Sequence, residues 1–174
     1  MSDLILYRAL RPAWSHAPLS GDGAAVNGGR WNRKGRVALY LAGDPQTALE
    51  EYWQGVERRP ATIVEYEVTG AAIASIDDQQ LRTDCDIPRN VMIFNWRELG
   101  KNWTLPEWPE HRPLPRTWEI SECILKQGFH GLSYPSRITG EPCYCIWHWG
   151  DGSACKIVAN DTLRDLPADN SSWT

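Results

Sequence analysis

Residues 37–53 read VALYLAGDPQTALEEYW, an apolar run that leads directly into a helix-start signal. The apolar run at 37–41 predicts a buried β-strand. Asp44 and Pro45 predict a helix with Asp44 as its N-cap and Pro45 at its first position. Apolar residues at helical spacing predict one buried helix face, made by Ala48, Leu49, Tyr52, Trp53 and Val56.

The regions on both sides of this segment add further strands and a second clear helix. Residues 62–68 alternate, with Val64, Tyr66 and Val68 on one face, which is typical of a half-buried strand. A helix is predicted at 117–127, ending before Gly128. Short strands are predicted at residues 4–10, 73–76, 131–136, 143–149 and 156–159.

Two long stretches lack this regularity. Residues 11–35 form a turn-rich loop, and residues 82–116 form an irregular Trp- and Pro-rich segment with one short helix at 91–99. Because strands and helices mix without regular alternation, we expect an α+β fold. We assign residues 1–166 to a single compact domain and residues 167–174 to a flexible tail.

Composition excludes several classes of protein. The chain has 174 residues, 42% hydrophobic and 23% charged, which excludes wholesale disorder. Lys and Arg total 18 against 22 for Asp and Glu, so the net charge is -4 and no direct nucleic-acid binding is expected. No apolar run approaches the roughly 20 residues that span a bilayer, and the N-terminus carries no secretory signal. These features predict a cytoplasmic protein without membrane contact.

The cysteine and histidine spacings indicate neither disulfides nor a metal site. The five cysteines form no C-x-x-C pair, so we expect free thiols in a reducing compartment. The four histidines are scattered without the spacing of metal ligands, and we expect no metal.

A glycine-rich loop and a pair of carboxylates are the candidates for chemistry. In the loop, Arg30 follows two glycines, and an arginine there can bind a phosphate in a forked geometry. A plain tight turn explains the same glycines. Glu50 or Glu51 could stabilise a cation forming in a ligand, or both could lie on a solvated helix face. Helical spacing places the two on opposite edges of the apolar stripe and does not choose between them.

Two aromatic features and one serine have a structural and a functional interpretation each. Tyr40 can be a core residue or a platform for a ligand, and Ser136 can be an ordinary turn residue or part of a site. The sequence Trp147-His148-Trp149 could stack a base or a sugar, or form a strand with buried indoles.

Taken in order, these pieces resemble the RES-domain proteins, named for an arginine, a glutamate and a serine. The matching stretches are Tyr7-Arg8, GGRWN at 28–32, Leu39-Tyr40, TALEE at 47–51 and GLSYPS at 131–136. The resemblance selects Glu51 over Glu50 as the family glutamate. It implies three catalytic residues, Glu51, Arg30 and Tyr40, and four substrate-binding residues, Arg8, Ser136, Trp31 and Asn32.

The resemblance also implies a fold like that of ADP-ribosyltransferases, with mixed sheets, flanking helices and a cleft for NAD. Family members are toxins that break the nicotinamide–ribose bond, with phosphate or water as acceptor, and are neutralised by a DNA-binding Xre-type antitoxin. NAD would then be a substrate rather than a cofactor, and phosphate a co-substrate. Transfer of ADP-ribose to a protein is the alternative activity. A non-catalytic, aromatic-lined module that binds a sugar or nucleotide is the alternative of another class.

Overall fold

Seven strands form one mixed sheet in the computed structural model, which describes residues 3–101 and 114–171. Across the sheet the order is β4-β5-β6-β2-β1-β3-β7, and only β4 and β5 are parallel. The strands are β1 Leu4–Leu10, β2 Leu39–Ala42, β3 Thr62–Thr69, β4 Ile73–Ser75, β5 Gly131–Pro135, β6 Pro142–Ile146 and β7 Lys156–Ala159. The expected α+β class with mixed strand directions is confirmed.

Five α-helices and two short 3-10 turns flank the sheet within these residues. The helices are α1 Asp22–Asn27, α2 Pro45–Trp53, α3 Gln79–Asp84, α4 Trp96–Lys101 and α5 Arg116–Lys126. The 3-10 turns are Pro12–Trp14 and Val91–Ile93. No helix in the described part of the chain is both long enough and apolar enough to cross a membrane.

Helix α2 begins as its sequence predicts. The Asp44 carboxylate accepts a hydrogen bond from the backbone N–H of Thr47 at 2.8 Å, which satisfies one of the unpaired donors of the first turn. The helix ends at Trp53, earlier than the apolar stripe suggested, because Gln54 adopts a left-handed conformation with φ of 51°. Val56 is consequently outside the helix and 73% exposed.

The structure differs from the predicted secondary structure in three places. The loop at 11–35 contains helix α1, and the helix predicted at 91–99 is a 3-10 turn followed by α4. Helix α3 was not predicted, because among its six residues only Leu81 is buried and no apolar period is visible. Within the predicted irregular segment, residues 102–113 lie outside the described residues, as do residues 172–174 of the predicted tail.

The expectation of five free thiols is wrong. Cys85, at the end of α3, forms a disulfide with Cys123 in α5, whereas Cys143, Cys145 and Cys155 are free and buried. The paired cysteines are 38 residues apart. Sequence spacing cannot show this pair, because packing of the two helices brings the sulfur atoms together.

Two apolar clusters lie on opposite faces of the sheet. Successive residues of β6 show the division: Cys145 belongs to the cluster covered by α3 and α5, and Ile146 to the cluster formed mainly by β1, β2, β3 and β7. Three tryptophans, Trp31, Trp118 and Trp147, are at most 2% exposed. Most of the large aromatic surface that they carry is therefore part of the core.

Candidate active site

A cleft opens where β1 and β2 diverge. These strands share a single residue pair, Tyr7 with Ala42, whereas β1 and β3 share seven pairs. The cleft has a volume of about 810 Å³ and adjoins a smaller pocket of about 200 Å³. Arg8, Tyr40 and Glu51 line both spaces. A cavity of this size is typical of sites for small molecules and cofactors.

Glu51 is held in place by Ser136. The Ser136 hydroxyl donates to Glu51 Oε1 at 2.6 Å and accepts from the backbone N–H groups of Ile138 and Thr139 at 3.1 and 3.2 Å. This hydroxyl thereby uses its one donor and both acceptor positions, and Ser136 is only 4% exposed. Ser136 therefore positions the carboxylate and leaves Glu51 as the group that faces the cleft.

The structure distinguishes the two adjacent glutamates. Glu51 lines the cleft, whereas Glu50 accepts a hydrogen bond from Gln46 one turn earlier on α2 and is not part of the cleft lining. A second contact steadies the same helix, because the hydroxyls of Thr47 and Thr139 lie 3.0 Å apart. Helix α2 and the turn after β5 are thus joined at two points.

The loop that carries Arg30 is shaped by its glycines. Gly28 has φ of 70°, a conformation that favours glycine, and a Cβ on Gly29 would overlap the Tyr40 hydroxyl. Arg30 Nη1 donates to the carbonyl oxygens of Met92 and Phe94 at 2.9 and 3.4 Å. Burial, and then the nearby Arg137 guanidinium, lower the pKa of Arg30.

Tyr40 connects the cleft to this loop. Its hydroxyl accepts from the backbone N–H of Trp31 at 2.9 Å and donates to Asn32 Oδ1 at 2.7 Å. Burial raises the pKa of Tyr40 well above its usual value, so the phenol keeps its proton. Trp31 and Asn32 are fully buried behind the cleft lining. Their place in the structure is to support Tyr40 and the loop.

Two buried indoles hold the loop from behind. Trp118 Nε1 donates to the carbonyl of Gly29, and Trp147 Nε1 donates to the carbonyl of Trp31, both at 2.7 Å. Because a buried indole N–H needs a partner, each tryptophan gains a hydrogen bond while it fixes the backbone beside Arg30.

Arg8 approaches the cleft from β1. Its Nη1 donates to the carbonyl oxygens of Pro18 and Ser20 at 3.3 and 3.2 Å, in the loop that follows the strand. Burial lowers its pKa below the usual value for arginine. We call Arg8, Tyr40, Glu51 and Ser136 together the carboxylate side of the cleft.

The facing side comes from a segment that carried no predictive motif. Met92–Arg97, which we call the aromatic wall, lines the cleft with six consecutive residues, including Phe94 and Trp96. Sequence reasoning also missed Gln54, Tyr134 and Arg137 in the lining. Arg137 could have been proposed as a cleft residue, because it directly follows the predicted Ser136.

The cleft lining carries more positive than negative side chains. Four arginines line it with Glu51 as their acidic counterpart, namely Arg8, Arg30, Arg97 and Arg137. Within residues 3–101 and 114–171, none of the four forms an ion pair with a carboxylate. Guanidinium groups without protein counterions bind phosphate-like anions well, because each offers a planar fork of donors.

A thiol nucleophile does not fit the smaller pocket. Cys143 lines it, but burial raises the pKa of this thiol to about 12, so the sulfur stays protonated at neutral pH. The chemistry available to the site is therefore electrostatic: one oriented carboxylate beside several cations.

Fold and site together define a single-domain α+β protein with an arginine-lined cleft around one oriented carboxylate. The RES domain family model matches residues 5–169. Two proteins named Toxin Res, from Photorhabdus laumondii subsp. laumondii and Yersinia enterocolitica, are 30% and 34% identical to this chain. Each alignment covers 78% of this chain, with 75% and 77% of the respective relative. The chain belongs to the RES domain family.

A solved structure shows the same fold. A chain in the crystal structure of the M. tuberculosis MbcT–MbcA toxin–antitoxin complex superposes with a TM-score of 0.57 at 17% sequence identity. The match covers 95% of this chain and 89% of that chain. The sheet and its helices are therefore shared despite low sequence similarity.

Proposed function

We propose that this protein is the toxin of a toxin–antitoxin pair and that it cleaves the nicotinamide–ribose bond of NAD. The observation that carries the proposal is the Glu51 carboxylate, oriented by Ser136 at 2.6 Å, in a cleft lined by four arginines. NAD matches this pattern, since its pyrophosphate is anionic and its reacting ribose becomes cationic during cleavage.

In the proposed reaction, the pyridinium nitrogen takes both electrons of the bond to ribose C1′, and nicotinamide leaves as a neutral molecule. The ribose then carries the positive charge as an oxocarbenium ion, which Glu51 stabilises. Arg8 holds the pyrophosphate, Arg30 holds the incoming phosphate, and the Tyr40 ring contacts the ribose and orients it. A phosphate oxygen attacks this same ribose carbon and gives ADP-ribose that carries a phosphate ester there.

Phosphate suits this cleft better than water as the acceptor. Arg137 and Arg30 lie close enough for each charge to affect the other, as the lowered pKa of Arg30 indicates. An anion between two guanidiniums relieves their repulsion, whereas a water molecule does not. This favours phosphorolysis over hydrolysis.

The identity of the partner rests on relatives. Two relatives are named Toxin Res, and the chain with the similar fold comes from a toxin–antitoxin complex. We therefore propose an antitoxin protein as the partner, of the Xre type that binds DNA, and action on the cytoplasmic NAD of the producing cell.

Chromatography of NAD after incubation with the purified protein, with and without phosphate, tests the proposal. We expect nicotinamide release that depends on phosphate, and a loss of about 10²- to 10³-fold in Glu51→Gln. Glu50→Gln is the matched control, because it makes the same change one residue away and outside the cleft lining. It should retain full activity.

Other outcomes give other conclusions. Release without phosphate dependence means hydrolysis, or transfer if ADP-ribose appears on protein. Intact NAD in the presence of folded wild-type protein would contradict the proposed activity and favour a binding module. Equal activity in Glu51→Gln and wild type would contradict the role of the carboxylate.

A further inference from the structure

The aromatic wall presents two rings to the cleft. Phe94 and Trp96 both line the cavity and are half-buried. Phe94 packs against the apolar cluster beneath α5, so its buried side is fixed and its remaining surface faces the ligand space. The guanidinium carbon of Arg97 lies 5.6 Å from the centre of the Trp96 ring system, within the range of a cation–π contact.

Side chains immobilise the wall although it belongs to no strand. Arg30 donates to the carbonyls of Met92 and Phe94. Asn95 caps α4 by accepting from the Glu98 backbone N–H at 3.4 Å and donating to the Glu98 carboxylate at 2.9 Å. Because these hydrogen bonds lie within the protein, a ligand does not have to supply the free energy of forming them.

The outer end of the wall is tied to the carboxylate side. Arg97 donates to the side-chain carbonyl of Gln54, the residue that ends α2 three positions after Glu51. Gln54 and Arg97 both line the cleft. A ligand that reaches from Glu51 to Trp96 therefore lies in a channel whose sides are held at a defined separation.

The two sides of this channel differ in chemistry. Glu51 and Arg8 offer charge at one side, and Phe94 and Trp96 offer aromatic surface at the other. We propose that the aromatic wall binds the adenine base of the dinucleotide through Phe94 and Trp96. This inference rests on the proposed function, because it assumes that the reacting ribose lies beside Glu51.

Binding of AMP alone tests the inference without requiring any reaction. AMP carries the adenine, ribose and one phosphate of the dinucleotide but not the bond that is cleaved. Calorimetry on the full protein should show AMP binding to the wild type, weakened roughly 5- to 100-fold in Trp96→Ala and in Phe94→Leu, which is the range for loss of one stacked base. Phe94→Leu keeps an apolar side chain against the core, so the wall stays folded.

Trp14→Ala is the matched control. Trp14 is 60% exposed, lies outside the cleft lining and stacks on His16 with ring centres 6.2 Å apart. Its removal should leave AMP affinity unchanged. Binding of inorganic pyrophosphate, which has no base, should be the same in all four proteins.

The results separate this inference from the proposed function. Failure of AMP to bind wild type, or equal AMP affinity in wild type, Trp96→Ala and Phe94→Leu, would overturn the assignment of the wall. AMP binding that depends on the two rings, together with intact NAD in the cleavage assay, would support the wall and contradict the cleavage reaction.

Discussion

The carboxylate side and the aromatic wall are built in different ways. Arg8 and Tyr40 stand on strands, and Glu51 on a nine-residue helix whose N-terminus is capped. The aromatic wall, by contrast, contains the last two residues of a 3-10 turn and the first two residues of α4, and the Arg30 side chain pairs with two of its carbonyls. Backbone hydrogen bonds of strands and a helix position most of the carboxylate side, whereas side-chain hydrogen bonds hold the aromatic wall.

Substitutions on the two sides of the cleft should therefore have different effects. Hydrogen bonds from Arg30 to the wall, and from Arg97 to Gln54, connect the two sides. A change that loosens the wall should therefore weaken ligand binding before it disturbs Glu51, which is fixed independently by Ser136. Changes at Glu51 or Ser136 should lower turnover instead.

The largest effect on stability is expected from removing the Cys85–Cys123 disulfide, which precedes the aromatic wall in the chain. Replacing Cys85 and Cys123 by serine opens a 38-residue loop in the unfolded chain and should lower the free energy of unfolding by about 2–4 kcal/mol. Urea denaturation measures this difference. Because Cys85 leads into the segment that ends in the aromatic wall, AMP affinity should fall as well.

A reductant supplies the control for this experiment. It should bring the wild type down to the stability of the double variant and leave the variant unchanged. Equal stability of wild type and variant without reductant would contradict the structural role of the Cys85–Cys123 cross-link.

Ser136→Ala should give the next largest effect, on the opposite side of the cleft. It removes the donor to Glu51 and the acceptor for two backbone N–H groups. The lost hydrogen bond to the charged Glu51 carboxylate alone should cost about 1.5–3 kcal/mol. We expect kcat for NAD cleavage to fall roughly 10- to 100-fold while AMP affinity is kept.

Ser133→Ala is its matched control. Ser133 lies three residues earlier, on strand β5, and its hydroxyl donates to the carbonyl of Ala74 at 3.2 Å, away from the cleft lining. It should leave kcat unchanged. A Ser136→Ala protein with wild-type kcat would show that Glu51 does not depend on this hydrogen bond.

Gly29→Ala should have the third largest effect, because Gly29 packs against Tyr40 and directly precedes Arg30, which binds the aromatic wall. The added methyl group would overlap the Tyr40 hydroxyl and lie 2.5 Å from Asn32 Oδ1. Overpacking of this kind costs about 1–3 kcal/mol, and displacement of Tyr40 should also reduce NAD cleavage. Thermal unfolding and the cleavage assay measure the two effects.

Gly23→Ala provides the comparison for this substitution. A Cβ at Gly23 meets nothing within 4 Å, and the residue lies in helix α1, so alanine should be neutral or slightly stabilising. A Gly29→Ala protein as stable and active as Gly23→Ala would contradict the tight packing of the loop around Tyr40.

The same contrast explains what the sequence could predict. The alternation of Val64, Tyr66 and Val68 and the Asp44 cap depend on neighbours close in the chain, and both predictions were confirmed. The carboxylate side sits on such elements, so its residues could be proposed from local motifs. The choice of Glu51 over Glu50 nevertheless needed the resemblance to the family.

The aromatic wall and the disulfide could not be predicted in this way. The wall is held by Arg30, 62 residues before Met92, and Cys85 pairs with Cys123, 38 residues away. Neither contact leaves a periodic pattern along the chain. Trp31 and Asn32 show the converse: a motif identified them, but only packing reveals that they lie behind Tyr40.

The smallest expected effect, from Tyr66→Phe, concerns the strands beneath the carboxylate side. Tyr66 on β3 donates to the carbonyl of Pro18 at 2.9 Å, an acceptor that it shares with Arg8. Loss of this bond should cost only about 0.5–1.5 kcal/mol near neutral pH. Burial raises the pKa of Tyr66 from 10.0 to about 12, which adds a dependence on alkaline pH.

The sign of that dependence follows from proton binding. Between pH 10 and 12 the folded protein keeps the Tyr66 proton while the unfolded chain loses it, so stability is complete below pH 10 and declines as the pH rises towards 12. In Tyr66→Phe this decline should be shallower by up to about 1.4 kcal/mol per pH unit. Urea denaturation at several alkaline pH values measures the slope. An unchanged slope would mean that the phenol is not buried in the sheet, and that the strands beneath Arg8 are less firmly packed than the backbone ladder implies.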